Sequence, residues 1–282
     1  METDTIICIG DCRTNVAKLR NASVQCVVTS PPYFLQRLYG DQAQEMGQTP
    51  LVSEYIAELV SLFEVVKSKL KDKGSVWVNI GDTYAVPMKA GCRNGQGVGQ
   101  GEQIQYPKRK GVQGIQPSSL VGIPARFQIA MTDAGWCCRQ SIVWNKKAPK
   151  PESVKNRCTR SHEMIYHFTK SKKYFYDHKA SQEKGTTQNK RNRRDVWNFA
   201  PERNSDHPAP YPKELVMPCI LTTSQPGDLV VDPFHGSGTT ARVAQEFGRN
   251  YVGFELYPKY SDQWRDLHGV EVTRDFLVTI PW

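Results

Sequence analysis

The sequence predicts an α/β protein built on a mostly parallel sheet, and three observations lead there. Short β-branched runs alternate with amphipathic helical stretches, the βαβ rhythm of a parallel sheet covered by helices. Two of the runs end in glycine- or proline-rich turns, at strand exits where such sheets place ligands. The chain of 282 residues is 39% hydrophobic, enough for a sizeable core in one large domain.

Thr5–Ile9 reads as a first strand ending in Gly10-Asp11, followed by a short helix through Val16 and Leu19. Val24–Thr29 (VQCVVT) is a buried strand halted by Ser30-Pro31-Pro32-Tyr33, since two prolines end the hydrogen-bond ladder. From Tyr55 to Leu70 apolar residues fall at 55, 56, 59, 62, 63, 66 and 70, the spacing of an amphipathic helix. Gly74 breaks it, and Ser75–Ile80 is the next strand. Residues 85–118 are rich in Gly, Gln and Lys and read as an inserted basic loop. Val121–Ala134 returns to helix, with strands expected at Gln140–Trp144 and Met164–Thr169. After a polar, basic stretch over 181–206, Glu214–Thr222 is helix, Leu229–Val231 strand, Thr239–Phe247 helix and Tyr251–Glu255 strand. Residues 1–282 form a single catalytic domain on this reading.

The net charge is +9, and residues 101–200 carry 20 Lys/Arg against 7 Asp/Glu. A positive middle on a slightly negative frame suggests a polyanion-binding face. Lys108, Arg109 and Lys110 in the first basic stretch, and Lys184, Lys190, Arg191, Arg193 and Arg194 in the second, are the candidate polyanion contacts. Trp197 beside the arginines strengthens the second stretch, because basic residues next to an aromatic suit nucleic acid.

No apolar stretch approaches a membrane span, and the start METDTIICIGD shows no signal peptide, so a cytoplasmic location is expected. The eight cysteines include no CxxC pair, so reduced thiols without a metal are expected. His162 and His167, with Glu163 between them, read as surface or packing residues. Cys219, after Pro218, reads as a buried cysteine inside a helix.

Two motifs carry chemistry. Asp232-Pro233-Phe234-His235-Gly236-Ser237-Gly238-Thr239 lies between a strand and a helix. Its glycines let backbone approach a ligand, the helix start offers free N–H groups, and Asp232 is placed to accept from an amine-bearing ligand. Glu255 ends the next strand, where an acid binds ribose hydroxyls in doubly wound sheets. The departure from GxGxxG favours a nucleoside without a pyrophosphate. The second motif is Thr29-Ser30-Pro31-Pro32-Tyr33. An aromatic amine is a poor nucleophile, because its lone pair is delocalised into the ring. A side-chain acceptor and a backbone carbonyl, held by rigid prolines, would draw on both amine hydrogens and expose that lone pair. Tyr33 supplies a flat face for an extruded base.

With both motifs in one chain, the sequence resembles the amino-group DNA methyltransferases, which make N4-methylcytosine or N6-methyladenine. TSPPY is similar to their catalytic motif and DPFHGSGT to their cofactor motif, in the permuted order called the β group. GSVWVNIGDTY, SHEMIYHFTKSKKYFYD and RRDVWNF also look like accompanying segments of such enzymes. The resemblance implies a twisted, mostly parallel seven-stranded sheet with helices on both faces, and S-adenosyl-L-methionine as cofactor. By matching position, Asp232 through Thr239 would surround the methionine part, Glu255 the ribose, and Asp11 the adenine end. Ser30, Pro31, Pro32 and Tyr33 would hold the target amine, and residues 181–206 would form the target-recognition region. Serine at the head of the motif points to cytosine N4, with adenine N6 as the alternative. Methylation of RNA or of a protein amide, and a degenerate DNA-binding protein, are the competing functions. Double-stranded DNA is the expected partner, and a homodimer and a cognate restriction endonuclease stay open.

Overall fold

The computed structural model describes residues 3–40, 42–85, 112–149, 151–185, 189–201, 211–261 and 271–273. The chain begins with β1 (Thr5–Ile9), α1 (Cys12–Asn15) and β2 (Val24–Thr29), then α2 (Val52–Lys69) and β3 (Leu70–Ile80). It continues through α3 (Ile123–Asp133), β4 (Cys137–Lys146), β5 (His162–Thr169), β6 (Gln182–Lys184), β7 (Lys190–Asn192) and β8 (Val196–Phe199). Last come α4 (Lys213–Thr223), β9 (Leu229–Asp232), α5 (Thr239–Glu246), β10 (Asn250–Glu255) and β11 (Glu271–Thr273).

The main sheet has the order β11-β1-β10-β9-β2-β3-β5-β4-β8. Its pairings are parallel except at β5, which runs antiparallel to both β3 and β4. The seven strands that the resemblance implies are all there. Two short strands lengthen the sheet to nine among the described residues, β11 beside β1 and β8 beside β4.

Alternation along each strand feeds two cores. On one face Ile6, Cys8, Val27, Val76, Val78 and Phe254 pack against α2 and α3 through Leu59, Phe63, Phe127 and Met131. On the other, Ile7, Cys26, Val28, Trp77 and Tyr251 pack against α4 and α5 through Val216, Ile220, Ala241 and Val243. A sheet covered on both faces leaves its strand ends as the open crevices.

Two sequence expectations need correction. Gly74 does not end the helix but lies inside β3, where an added Cβ would come within 2.6 Å of the Leu70 side chain and 3.0 Å of the Gln25 carbonyl oxygen. The β2–β3 register shifts beside it, between Val24 and Cys26. Trp197, read beside the arginines as an aromatic suited to nucleic acid, faces the interior instead. It is 5% exposed, packs 6.5 Å from Trp77, and donates from Nε1 to the Arg194 carbonyl at 2.9 Å. Of the two packing alternatives for His167, the interior one holds: the ring stacks on Trp77 at 4.0 Å with Nε2 bonded to Ser75 Oγ at 2.9 Å, and burial pushes its pKa down to about 3. Cys219 is fully buried, its Sγ turned to the Leu215 carbonyl, and burial pushes the thiol well up. Of the inserted loop 85–118, Lys108, Arg109 and Lys110 lie outside the described residues. Its base is closed by Ala85 N–H donating to Ser119 O at 2.9 Å and Ser118 N–H to Ala85 O at 2.8 Å. Among the described residues no helix is long and apolar enough to cross a membrane.

Candidate active site

A cavity opens at the carboxyl ends of β1, β10, β9 and β2, where Gly10, Glu255, Pro233 and Ser30 stand side by side. Open α/β sheets bind ligands at this edge because the connections diverge there. Its volume is about 80 Å³, below the roughly 300–1,000 Å³ of drug-sized ligand sites. Tyr39, Tyr257 and Tyr260 form an aromatic wall. That wall is tied down by Glu45, an acid the sequence reading passed over. Glu45 accepts from Tyr257 OH at 2.7 Å and from the N–H groups of Tyr39 and Gly40 at 3.1 and 3.2 Å.

The two motifs meet through a hydrogen bond. β2 and β9 are parallel neighbours, so Thr29 and Asp232 end adjacent strands. Thr29 Oγ1 donates to Asp232 Oδ1 at 2.6 Å. Tyr211 OH and Thr240 Oγ1 donate to Oδ2 at 2.9 and 2.8 Å, and Phe234 N–H donates to Oδ1 at 3.0 Å. Both carboxylate oxygens are thus engaged, and Asp232 is fully buried, with its pKa pushed up to about 6 by that burial against the opposing pull of its donors. The carboxylate sits behind the cavity wall rather than in it.

From its motif the cavity takes Pro233, Phe234 and Gly236. Ser237, Gly238 and Thr239 turn into α5 behind them, with Gly236 and Gly238 at φ +54° and +75°, where a side chain would strain the backbone. Gly236 N–H donates to Glu255 Oε2 at 2.9 Å and Tyr257 N–H to Oε1 at 3.0 Å. Glu255 lines the cavity, and burial pushes its pKa up to about 7, against those backbone bonds. Asp11 also reaches the wall. It caps α1 by accepting from Arg13 N–H at 2.9 Å, and it is clamped by the Arg13 guanidinium at 2.7–3.0 Å.

Ser30 and Pro32 line the mouth of the same cavity. Tyr55, from α2, donates to the Pro32 carbonyl at 2.8 Å, which fixes the diproline from below. Tyr33 lies against Gly81, where an added Cβ would come within 2.6 Å of the ring. Its hydroxyl donates to Glu163 Oε2 at 2.7 Å and accepts from Ser30 Oγ at 3.3 Å. Asn79 Nδ2 donates to the same Glu163 oxygen at 3.2 Å, and Lys146 is ion-paired with Oε1. Glu163, Asn79 and Lys146 went unrecognised in the sequence reading. Glu163 becomes legible once β5 is begun at His162, because the β3–β5 pairing of Ile80 with Met164 then sets it beside the end of β3.

Residues 24–266 match the model of the N6/N4 DNA methylase family. The chain belongs to that family. It is 43% identical over 252 residues to the Type II methyltransferase M.XycI of Xanthomonas campestris pv. cyanopsidis, covering 89% of this chain and 83% of that one. It is 41% identical over 258 residues to M.SmaI of Serratia marcescens, covering 90% and 87%. Among solved structures the PvuII DNA methyltransferase (cytosine-N4-specific) matches with a TM-score of 0.70 at 21% identity, covering 98% of this chain and 97% of that one. A Thermus thermophilus protein solved with S-adenosyl-L-methionine matches with a TM-score of 0.66 at 22% identity, covering 98% and 99%. These two likenesses show a shared fold.

The methylase's basic residues fall into two groups. Lys146 ends β4, and Lys147, Arg157 and Arg160 follow in the segment joining it to β5 at the catalytic end, where Arg157 and Arg160 lie over the Tyr84 ring at 4.0 and 5.7 Å. Arg193 and Arg194 sit elsewhere. Val143 pairs with Val196, so Arg194 stands level with Ser141. That is five residues from Lys146, or about 17 Å along the strand. Arg191 and Arg193 are also partnered by Glu183, at 3.0 and 3.8 Å, and Arg193 stacks on Trp197. Lys184 and Lys190 are exposed on the β6–β7 ribbon. The structure does not bring this second basic group to Ser30.

Proposed function

We propose that the chain methylates the exocyclic amine of a base flipped out of double-stranded DNA, with cytosine N4 as the target. The observation that carries this is the Thr29–Asp232 hydrogen bond, which locks the SPPY segment to the cofactor motif so that Ser30 opens onto the cavity. Bound S-adenosyl-L-methionine would supply an electrophilic methyl group on a sulfonium. Glu255 has the lone pairs for the ribose hydroxyls, and the tyrosine wall has the faces for an adenine.

Ser30 Oγ and the Pro31 carbonyl would accept the two amine hydrogens, since the Pro32 carbonyl is already taken by Tyr55. That draws the nitrogen toward a tetrahedral geometry and frees its lone pair to attack the methyl carbon. Tyr33 would stack on the extruded base. The choice of cytosine N4 rests on Ser30 at the head of the motif, since serine there usually accompanies the N4-cytosine enzymes that the sequence resembles and aspartate the N6-adenine ones. The named relatives are Type II methyltransferases, and we assign this chain the same modification role beside a restriction endonuclease, in the cytoplasm.

The test is to incubate the protein with duplex DNA and S-adenosyl-L-methionine carrying a labelled methyl group, then digest to nucleosides for mass spectrometry. Labelled N4-methylcytosine is the expected product. N6-methyladenine without it would overturn the choice of base, and unlabelled DNA would overturn the activity.

A further inference from the structure

A serine hydroxyl is both donor and acceptor, so its usefulness at the head of the SPPY segment depends on where its proton points. To draw on an amine hydrogen, Ser30 Oγ must turn its lone pairs to the base and send its own proton elsewhere. The structure shows the destination. Tyr33 has a single hydroxyl proton and gives it to Glu163 Oε2 at 2.7 Å. The other acceptor near it, Asn79 Oδ1, is 3.5 Å away, too far to compete. With its proton committed, the Tyr33 oxygen accepts from Ser30 Oγ at 3.3 Å. Glu163 is an acceptor in this ion pair, and the groups around it are donors: Lys146 on Oε1, Asn79 Nδ2 on Oε2. The chain of hydroxyls therefore runs one way, from Ser30 through Tyr33 to Glu163.

We propose that Glu163 is a positioning residue for methyl transfer, setting the direction of this relay so that Ser30 meets the target amine as an acceptor. Hydrogen bonds in series polarise one another, so the carboxylate also makes the distant Ser30 oxygen a stronger acceptor than an isolated hydroxyl. This gives a neutral serine part of the character that an aspartate would have at the same position. The inference rests on the reading of Ser30 as the amine's acceptor.

The test uses the full chain, a duplex substrate and single-turnover rates, with dissociation constants for S-adenosyl-L-methionine and DNA measured in parallel. Glu163→Gln is nearly isosteric, but its amide nitrogen can donate to Tyr33 and reverse the relay. It should lower the single-turnover rate roughly 10–100-fold, the equivalent of one charge-assisted hydrogen bond, with both dissociation constants within about 2-fold of wild type. Tyr33→Phe keeps the ring for stacking and cuts the relay, and should lose a similar factor. In the double variant the losses should not multiply, since both substitutions break one chain. A Glu163→Gln rate close to wild type, or losses that multiply in the double variant, would overturn the proposal. Should Glu163→Gln fail to fold, Tyr33→Phe decides alone: a loss confined to rate supports the relay, and an unchanged rate sinks it. Ser30→Ala separates the two levels. If it keeps the wild-type rate, the reading of Ser30 is wrong. If it is inactive while Glu163→Gln is not impaired, Ser30 stands and the relay falls.

Discussion

The carboxyl ends of the parallel strands differ from the β6–β7 ribbon and the loop before β8 in how much of them is decided by strand order. At the catalytic end, Thr29 and Asp232 are 203 positions apart in sequence, yet they close a 2.6 Å hydrogen bond because β2 and β9 are parallel neighbours. Any residue at a parallel strand's carboxyl end is delivered to that edge by the fold itself. In the second region, Arg191, Arg193 and Arg194 are delivered by a β-ribbon and a loop, and Glu183 pairs with two of them. A strand-end motif fixes its own place; a charge run waits on the loop that carries it.

Four predictions bear on this contrast. Asp232→Ala would strand the Thr29 hydroxyl in a closed interior and leave the Tyr211 and Thr240 hydroxyls with each other as partners. Leaving buried polar groups unpaired costs about 1–3 kcal/mol each in the worst case, so a loss of roughly 2–5 kcal/mol in unfolding free energy is expected by denaturant titration. An unchanged midpoint would mean that the knot does not hold the two strand ends together.

Glu255→Ala should weaken S-adenosyl-L-methionine binding by about 1–3 kcal/mol, read by calorimetry, since two ribose hydroxyls would lose their acceptor. Affinity at the wild-type level would move the ribose away from this acid.

The same residue predicts a pH dependence. In the free protein Glu255 titrates at about 7, raised by burial. Ribose hydroxyls donate more strongly to the ionised form, so binding favours loss of that proton. Affinity should therefore fall as pH drops from 8 to 6, by up to about tenfold, with proton release near pH 7 visible as a buffer-dependent binding enthalpy. A flat profile would separate Glu255 from the ligand. For folding the sign is opposite. A carboxylate with a raised folded-state pKa contributes its stability below the unfolded value of 4.5, and that contribution is lost as pH rises toward 7.

The smallest effect is expected from replacing Arg191, Arg193 and Arg194 together by alanine. With Arg194 level with Ser141, about 17 Å along the strand from Lys146, and with Arg191 and Arg193 paired to Glu183, they should leave the salt dependence of DNA binding nearly unchanged. A salt slope reduced by roughly two or three units would return them to the DNA interface.

How far the sequence was readable follows the same division. Strands buried on both faces, such as Val24–Thr29 and Tyr251–Glu255, announce themselves by continuous apolar runs, and their exits carry the recognisable motifs. Glu163 was hidden because its meaning comes from the antiparallel β3–β5 pairing, a long-range contact with no local signature. Trp197 was misjudged from its basic neighbours, although VWNF alternates exposed and buried positions as an edge strand should. Glu45 sits in a loop whose course over the cavity no periodicity foretells. Adjacency along the chain was the poorer guide at each of these positions.

The most direct measurement is the single-turnover rate of methyl transfer for Ser30→Ala and for the triple arginine variant on one duplex, alongside both dissociation constants. An interaction made only as the amine pyramidalises should cost Ser30→Ala roughly 100-fold or more in rate with binding intact. The triple variant should stay within about 3-fold of wild type, as surface charges remote from the chemistry do. The reverse pattern, with the arginines dominating and Ser30 dispensable, would contradict the placement of the chemistry at the paired strand ends.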